Sequence, residues 1–334
     1  MQSNIARSAL TVAAFAACGL AQAQSSVTVY GIVSTDYVHA TNTPTGKVNK
    51  IEPGRVNPAR LGFKGSEDLG GGLSAVFNLE SAIGPDTGAA GAPFWGRGAN
   101  VGLSSSMLGT VTAGRHWNIN DDMLGNFFVF GGFAVFNFTG FGFTSDLVNN
   151  SVKYVSPNLG GLTVEALVGA GEGSSTTPRT VEVGGVYAIG PVKAGLTYHE
   201  AKRVGLVNKL TSGGVAYSIG SVTVRGGYSS ADNEYDDYSL VAGAYKAAAY
   251  DIGADFGFGP AAVSVDYVAR DLKSSSNDSH FFRVLGKYNL SKRTQVNANV
   301  VAMKNKGTAT ESFYGLAAGA KSQNVFTLGL SHSF

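Results

Sequence analysis

The 334-residue sequence predicts an all-β chain: a 16-stranded antiparallel transmembrane β-barrel. Three observations predict it. Short segments alternate apolar and polar residues with a period of two. Tight turns and longer polar loops succeed one another along the chain. No apolar run reaches the ~20 residues that a helix needs to cross a bilayer.

The first 23 residues stand apart. Arg7 supplies a positive start, Ser8–Leu20 a run of small apolar residues, and Ala21-Gln22-Ala23 a cleavage site. That is the layout of a signal peptide, which leaves residues 24–334 as the barrel. Cys18, the one cysteine, lies inside the leader, so a mature chain would have neither thiol nor disulfide. The formal charge of +2 falls to +1 without Arg7 and gives no hint of a nucleic-acid partner. Forty-six Gly, 14 Tyr and 19 Phe with little helical patterning suit an all-β fold, and no Pro/Ser-rich linker divides it.

Taken in order, Val27–Asp36 opens the alternation approximately. Leu73–Glu80, Val192–Tyr198, Val222–Tyr228, Val263–Tyr267 and Val296–Val300 repeat it cleanly. Tight connections are expected at Glu67–Gly72, Met107–Gly109, Pro157–Gly161, Ile189–Pro191, Ile219–Ser221, Gly257–Pro260 and Asn289–Arg293. Longer ones are expected around Asn42–Gly54, Gly84–Gly96, Trp117–Leu147, Gly171–Pro178, Lys202–Asn208, Ser230–Ala248, Asp271–Ser279 and Lys304–Ser322. Seven short turns and eight long loops make about sixteen strands, with both termini on the short-turn side.

Parity then sorts the side chains. One face carries Arg60, Lys64, Lys153, Lys193, Arg225, Arg270, Arg283 and Lys287, together with Glu80, Glu165, Glu182, Asp251, Asp255 and Asp266. The other offers Val, Leu, Ala, Phe and Tyr, with aromatics such as Tyr198, Tyr228, Phe256, Phe258, Tyr267 and Tyr288 near strand ends. Sixteen strands enclose too wide a space for side chains to fill, so the charged face lines a wet lumen and the apolar face meets lipid. The last strand, with Phe326, Leu328, Leu330, His332 and Phe334 on one parity, closes the barrel against the first and leaves no free edge.

Trp117–Leu147 departs from this pattern. Its 31 residues hold eight Phe, five Gly and three acids (Asp121, Asp122, Asp146), with no Lys or Arg. A loop of this length in a compact fold is usually functional.

Ala59–Glu80 resembles the second strand, first turn and third strand of the general porins of the Gram-negative outer membrane, of the β-proteobacterial type. Leu108–Arg115, Asn150–Pro157, Asn289–Thr294, Lys304–Lys306 and Gly329–Phe334 match further pieces in the same order. The resemblance implies a homotrimer in the outer membrane, embedded in lipid and lipopolysaccharide. It also implies insertion by the outer-membrane assembly machinery through a C-terminal aromatic signal, here Phe334. Small hydrophilic solutes and ions would pass by passive diffusion, without a cofactor. The third loop would fold into the pore.

By the same resemblance Arg60 and Arg97 are constriction arginines, with Lys64 on the same basic side. Parity alone leaves the direction of Arg97 open. A third basic position corresponds to Leu147, and the long loop, with Asp121 and Asp122, has fewer carboxylates than the family's. Phe127, Phe130, Phe133 and Phe136 belong to a run expected to mix rings that anchor that loop with rings that line the pore. Arg115 matches a strand-end position of the family or serves as a packing and loop-anchoring residue. A positive ring attracts anions, and eight basic against six acidic lumen residues favour a weak anion preference.

Two alternatives stay open: a channel selective for aromatic or amphipathic solutes, and a surface barrel acting in adhesion. Enzymatic activity is not expected. His39, His116, His199, His280 and His332 are scattered, and no nucleophile motif or metal-ligand spacing occurs. Gly65–Gly72 lacks the Lys-Ser/Thr of a phosphate loop. Asp232–Asp237 is a solvated acidic loop or a divalent-cation site without EF-hand spacing.

Overall fold

The computed structural model describes residues 26–124, 147–173, 177–235, 245–273 and 275–334. The strands are β1 (Ser26–Thr43), β2 (Gly46–Pro53), β3 (Arg60–Gly70), β4 (Leu73–Gly84), β5 (Ala89–Ala90), β6 (Gly98–Ser105) and β7 (Gly109–Trp117). A short helix, α1 (Ile119–Leu124), follows. Then come β8 (Leu147–Val155), β9 (Leu162–Gly169), β10 (Arg179–Ile189), β11 (Val192–Arg203), β12 (Leu206–Ile219) and β13 (Val222–Asn233). The chain ends with β14 (Tyr245–Phe258), β15 (Ala261–Leu272), β16 (Ser279–Asn289), β17 (Thr294–Asn305) and β18 (Ser322–Ser333).

Every pairing is antiparallel, and β18 pairs with β1, so the sheet closes on itself. The eighteen segments make sixteen traverses: β2 and β3 pair with successive halves of β1, and β5 is a two-residue ladder on β4. Closure continues to the last residue. Gly31 and Phe334 exchange backbone hydrogen bonds of 3.3 and 3.1 Å. The Phe334 ring lies over Gly31, where a Cβ would stand 2.5 Å from it.

Alternation appears directly in exposure. In β11 the outward Leu196 is 62% exposed, whereas inward Thr197 and His199 are buried. The charged residues that parity assigns inward fall on that face, and Glu80, Lys153, Glu182, Asp251, Asp266, Arg270 and Arg283 are all buried. On the outside, Tyr198, Tyr228, Tyr250 and Tyr267 form one aromatic belt and Tyr187, Tyr217, Phe258 and Tyr288 another. Along β14 the belts are eight residues apart (Tyr250 to Phe258), ~26 Å of strand before tilt, the scale of an outer-membrane apolar band.

Four local expectations need correction. Asn42–Gly54 is not one loop. β1 turns at Pro44-Thr45 straight into β2, and the chain then leaves the sheet over residues 54–59. Two residues of β1, Val33 and Ser34, face these six, so the segment bulges off the wall. Pro58, which cannot donate to a ladder, sits in the break. Lys202–Asn208 is likewise no long loop. Arg203 pairs with Leu206 around Val204-Gly205, whose φ values of +49° and +79° are those of a tight hairpin turn. Ser230–Ala248 is partly strand, since β13 runs to Asn233 and β14 starts at Tyr245. Finally, Trp117–Leu147 is not free of regular structure, because α1 begins two residues into it.

Candidate functional site: the charged inner wall

Three groups of charged side chains line the inner face. The first is on β1, β3, β4 and the start of β6. Arg60 is the first residue of β3, directly after the break, and Glu80 lies inward on β4. Arg97 donates from Nε to Glu80 Oε1 at 2.6 Å, and Arg60 Nη1 lies 4.0 Å from the same oxygen. Arg97 thus points inward, and its guanidinium also lies 4.9 Å over the Trp117 ring. Tyr30 donates to Glu80 Oε2 at 2.9 Å, and the Lys64 ammonium lies 5.3 Å over its ring. The phenol reaches Glu80 by crossing Gly62, where a Cβ would meet it at 2.3 Å. Two guanidiniums therefore face one carboxylate.

In the second group the ratio is inverted. Lys153 on β8 is ion-paired with Asp122 of α1 and with Glu165 of β9, the latter at 2.8 Å. Glu182 on β10 accepts the Ile119 backbone N–H at 2.5 Å and pairs with His199 Nδ1 at 2.8 Å. Asn118 caps the helix, its Oδ1 accepting the Asp121 N–H at 2.6 Å. Thr197 donates to Asn120 at 2.9 Å. Ile119, Met123 and Leu124 bury themselves against the strands where two inward positions are glycine. A Cβ on Gly184 would stand 2.7 Å from Ile119 and Met123, and one on Gly195 2.6 Å from Leu124. Helix α1 accordingly rests on the inner face of β10–β12.

In the third group Arg225, Arg283 and Arg270 face Asp255, Asp266 and Glu311. Arg225 Nη2 lies 2.8 Å from Asp255 and 3.7 Å from Asp266, and Arg283 donates from Nε to Asp266 at 2.5 Å. Arg270 pairs with Glu311 of the segment between β17 and β18. That segment is drawn inward. Phe313 packs edge-on to Phe281 with ring centroids 6.3 Å apart, and Gln323 accepts the backbone N–H groups of Phe313 and Tyr314. Tyr314 donates to Glu52 at 2.6 Å, with Lys50 at 4.5 Å and Arg55 at 5.3 Å over its ring. Burial pushes the Tyr314 phenol above its usual range, and its bond to Glu52 adds to the rise, so it stays a neutral donor.

Arg60, Arg97 and Lys64, expected at the constriction, come together with Glu80, expected in the lumen. Asp122 does not face them; it is held by Lys153. Phe127, Phe130, Phe133 and Phe136 lie outside the described residues, as do Asp236 and Asp237, while Asp232 pairs with Lys246 at 2.7 Å. Arg115 ties two loop ends, donating to Gly96 O at 2.8 Å and to Asn149. Sequence reasoning missed Arg55, Tyr314 and Tyr30. Pro58 inside a strand pattern was the signal for the inward break that carries Arg55.

A family model for the Gram-negative porins matches residues 9–308. The chain belongs to that family. Among its relatives, outer membrane porin protein 32 of Delftia acidovorans is 30% identical over 98% of this chain and 99% of its own length. An outer membrane porin of Bordetella pertussis is 31% identical over 54% of this chain and 56% of its own. An anion-selective porin from Comamonas acidovorans superposes with a TM-score of 0.81 at 27% identity, covering 93% of this chain and all of that one. A trimer form of OmpT from Vibrio cholerae shares the fold, with a TM-score of 0.70 at 17% identity. This porin is therefore an integral β-barrel of the Gram-negative outer membrane and forms a channel.

Proposed function

We propose that this porin passes small hydrophilic solutes and ions by passive diffusion, with a weak preference for anions, as a homotrimer. The observation that carries the preference is the pair Arg60 and Arg97 over the single carboxylate of Glu80. One positive charge is left over there. Lys153 is matched by two acids, Arg225 and Arg283 by two between them and Arg270 by Glu311, while Lys50 and Arg55 share Glu52 and add to the positive side. A net cation in a narrow, partly dehydrated passage raises the local concentration of anions. The similarity to an anion-selective porin agrees in sign.

The narrow passage itself is assigned to the loop 117–147, folded into the barrel from its anchored start. α1 supports this course because Asn118–Leu124 already lies on the inner face of β10–β12. The inward segment with Phe313 and Tyr314 narrows the lumen from the other side.

Planar-bilayer recording tests the whole reading. Ion-conducting steps in groups of three, with a reversal potential on the anion side of zero in a potassium chloride gradient, are expected. Folded protein that never conducts contradicts the channel geometry; a cation-side potential contradicts the charge assignment.

A further inference from the structure

The seam where the barrel closes holds a knot of buried polar atoms that the ladder does not satisfy. Inward positions of β17, β18 and β1 lie side by side there. Asn297 faces Gly329, Gly329 faces Asp36, and one inward row further on Asn299 faces Thr327. Asp36, Asn297, Asn299 and Thr327 are each at most 4% exposed. Among the described residues, Asp36 Oδ1, Asn297 Oδ1, Thr327 Oγ1 and both amide atoms of Asn299 lack a hydrogen-bond partner. Gly329 lets the side chains beside it converge. A Cβ there would collide with Asp36 Oδ1 and stand 2.7 and 3.0 Å from the amide nitrogen and oxygen of Asn297. The segment 54–59 lies alongside: the Arg55 N–H donates to Asp36 Oδ2 at 2.8 Å, and Asn57 donates to Gln295 and Ser331 at 3.0 and 2.9 Å.

Buried polar atoms are normally hydrogen-bonded, and a buried charge normally has a counter-charge. Asp36 has no cation at ion-pair distance among the described residues. The charged groups near it are Glu52 and Arg55. The Arg55 guanidinium is engaged by Glu52 at 2.6 Å, and Lys50 goes to the same carboxylate at 2.7 Å. Lys287 stands opposite Asn297 on β16, but its charged neighbours are Arg283, Arg225, Asp255 and Asp266. Four of the five unpaired atoms at the seam are oxygens. A water molecule has two protons to donate, so one water would leave two of these oxygens unpaired and the carboxylate charge in place. A cation answers all four oxygens and the charge together.

We propose that Asp36, Asn297, Asn299 and Thr327 bind one sodium-sized monovalent cation that fastens β17 and β18 to β1. Carboxylate, amide carbonyl and hydroxyl oxygens are the ligands of hard cations. One carboxylate among three neutral oxygens matches a single positive charge, whereas tight calcium sites gather several carboxylates. The ligands come from the first strand and the last two, so the ion spans the closing pair β1–β18. It binds the closed barrel and has no site in the unfolded chain, where these strands are apart. Closure of the barrel is thereby linked to the cation. The site is a fastening of the wall and is independent of the ion preference of the pore.

Heat unfolding of the full-length porin in detergent tests it, with sodium, calcium or choline chloride at equal ionic strength and the loss of folded barrel followed in time. Choline is too large to enter. Wild type is expected to unfold roughly tenfold more slowly in sodium than in choline, the effect of a ligand held by the native state at ~10 times its Kd. Calcium is expected to behave like choline. Asp36→Asn keeps the shape and can still accept the Arg55 N–H, but removes the charge; it is expected to unfold at the same rate in sodium and choline. Thr327→Val removes one oxygen and is expected to lose most of the difference. Both variants are near-isosteric, so the comparison survives if one of them fails to fold. Equal rates for wild type in sodium and choline overturn the site. A sodium effect of full size in the variants places the ion elsewhere and overturns it too. Stabilisation by calcium alone overturns the assignment of a monovalent ion.

Discussion

Two inward ion clusters of this barrel are near mirror images in charge. On the β3–β4–β6 side two arginines share one carboxylate, and on the β8–β10 side one lysine is shared by two. The difference separates field from scaffold. Lys153 is 5% exposed at its side chain, and its partners come from a helix and a neighbouring strand, so it fastens α1 to the wall. Arg60 and Arg97 are more open, at 28% and 18%, and leave a net charge facing the lumen. One cluster holds α1 against the wall; the other, in the function proposed, acts on what passes.

The comparison breaks most visibly at Lys153. Lys153→Met leaves Asp122 and Glu165 close together without a cation. The expected loss is about 3 kcal/mol, the low end for a buried pair because Asp122 is 40% exposed. Denaturant unfolding in detergent measures it, and Arg97→Ala in the same assay should cost clearly less. Next in size is Gly195→Leu. Its side chain enters the space of Leu124, so overpacking costs about 2 kcal/mol or α1 lifts off the wall. Lifting would show as a rise in single-channel conductance. Smaller again is Tyr314→Phe, which removes one hydrogen bond to Glu52 and is expected to cost about 1 kcal/mol in melting experiments, with selectivity unchanged.

The strands were legible because their signal is local. A period of two survives without knowledge of partners, and it puts Glu80, Lys153, Asp266 and Arg283, all buried in the structure, on one face of the sheet. The break at residues 54–59 was not legible, since it depends on distant groups. Asp36 accepts the Arg55 N–H at 2.8 Å, and Asn57 donates to Gln295 and Ser331. Helix α1 was hidden for a related reason. Six residues are too few to be helical alone, and its stability comes from glycine-floored strands more than fifty positions away. The direction of Arg97 is set by Glu80, a partner that parity cannot see. Val204-Gly205 was overlooked because polar neighbours on both sides made a tight hairpin look like a loop.

The unbalanced charge at Arg60, Arg97 and Glu80 is proposed to set ion preference. A unit charge at ~4 Å in water is worth about 1 kcal/mol, roughly fivefold in local ion occupancy. The direct measurement is the reversal potential of wild type, Glu80→Gln and Arg60→Ala/Arg97→Ala in one salt gradient. The account predicts a stronger anion preference without the carboxylate, and a loss or reversal of preference without the two arginines. Three equal potentials would contradict it.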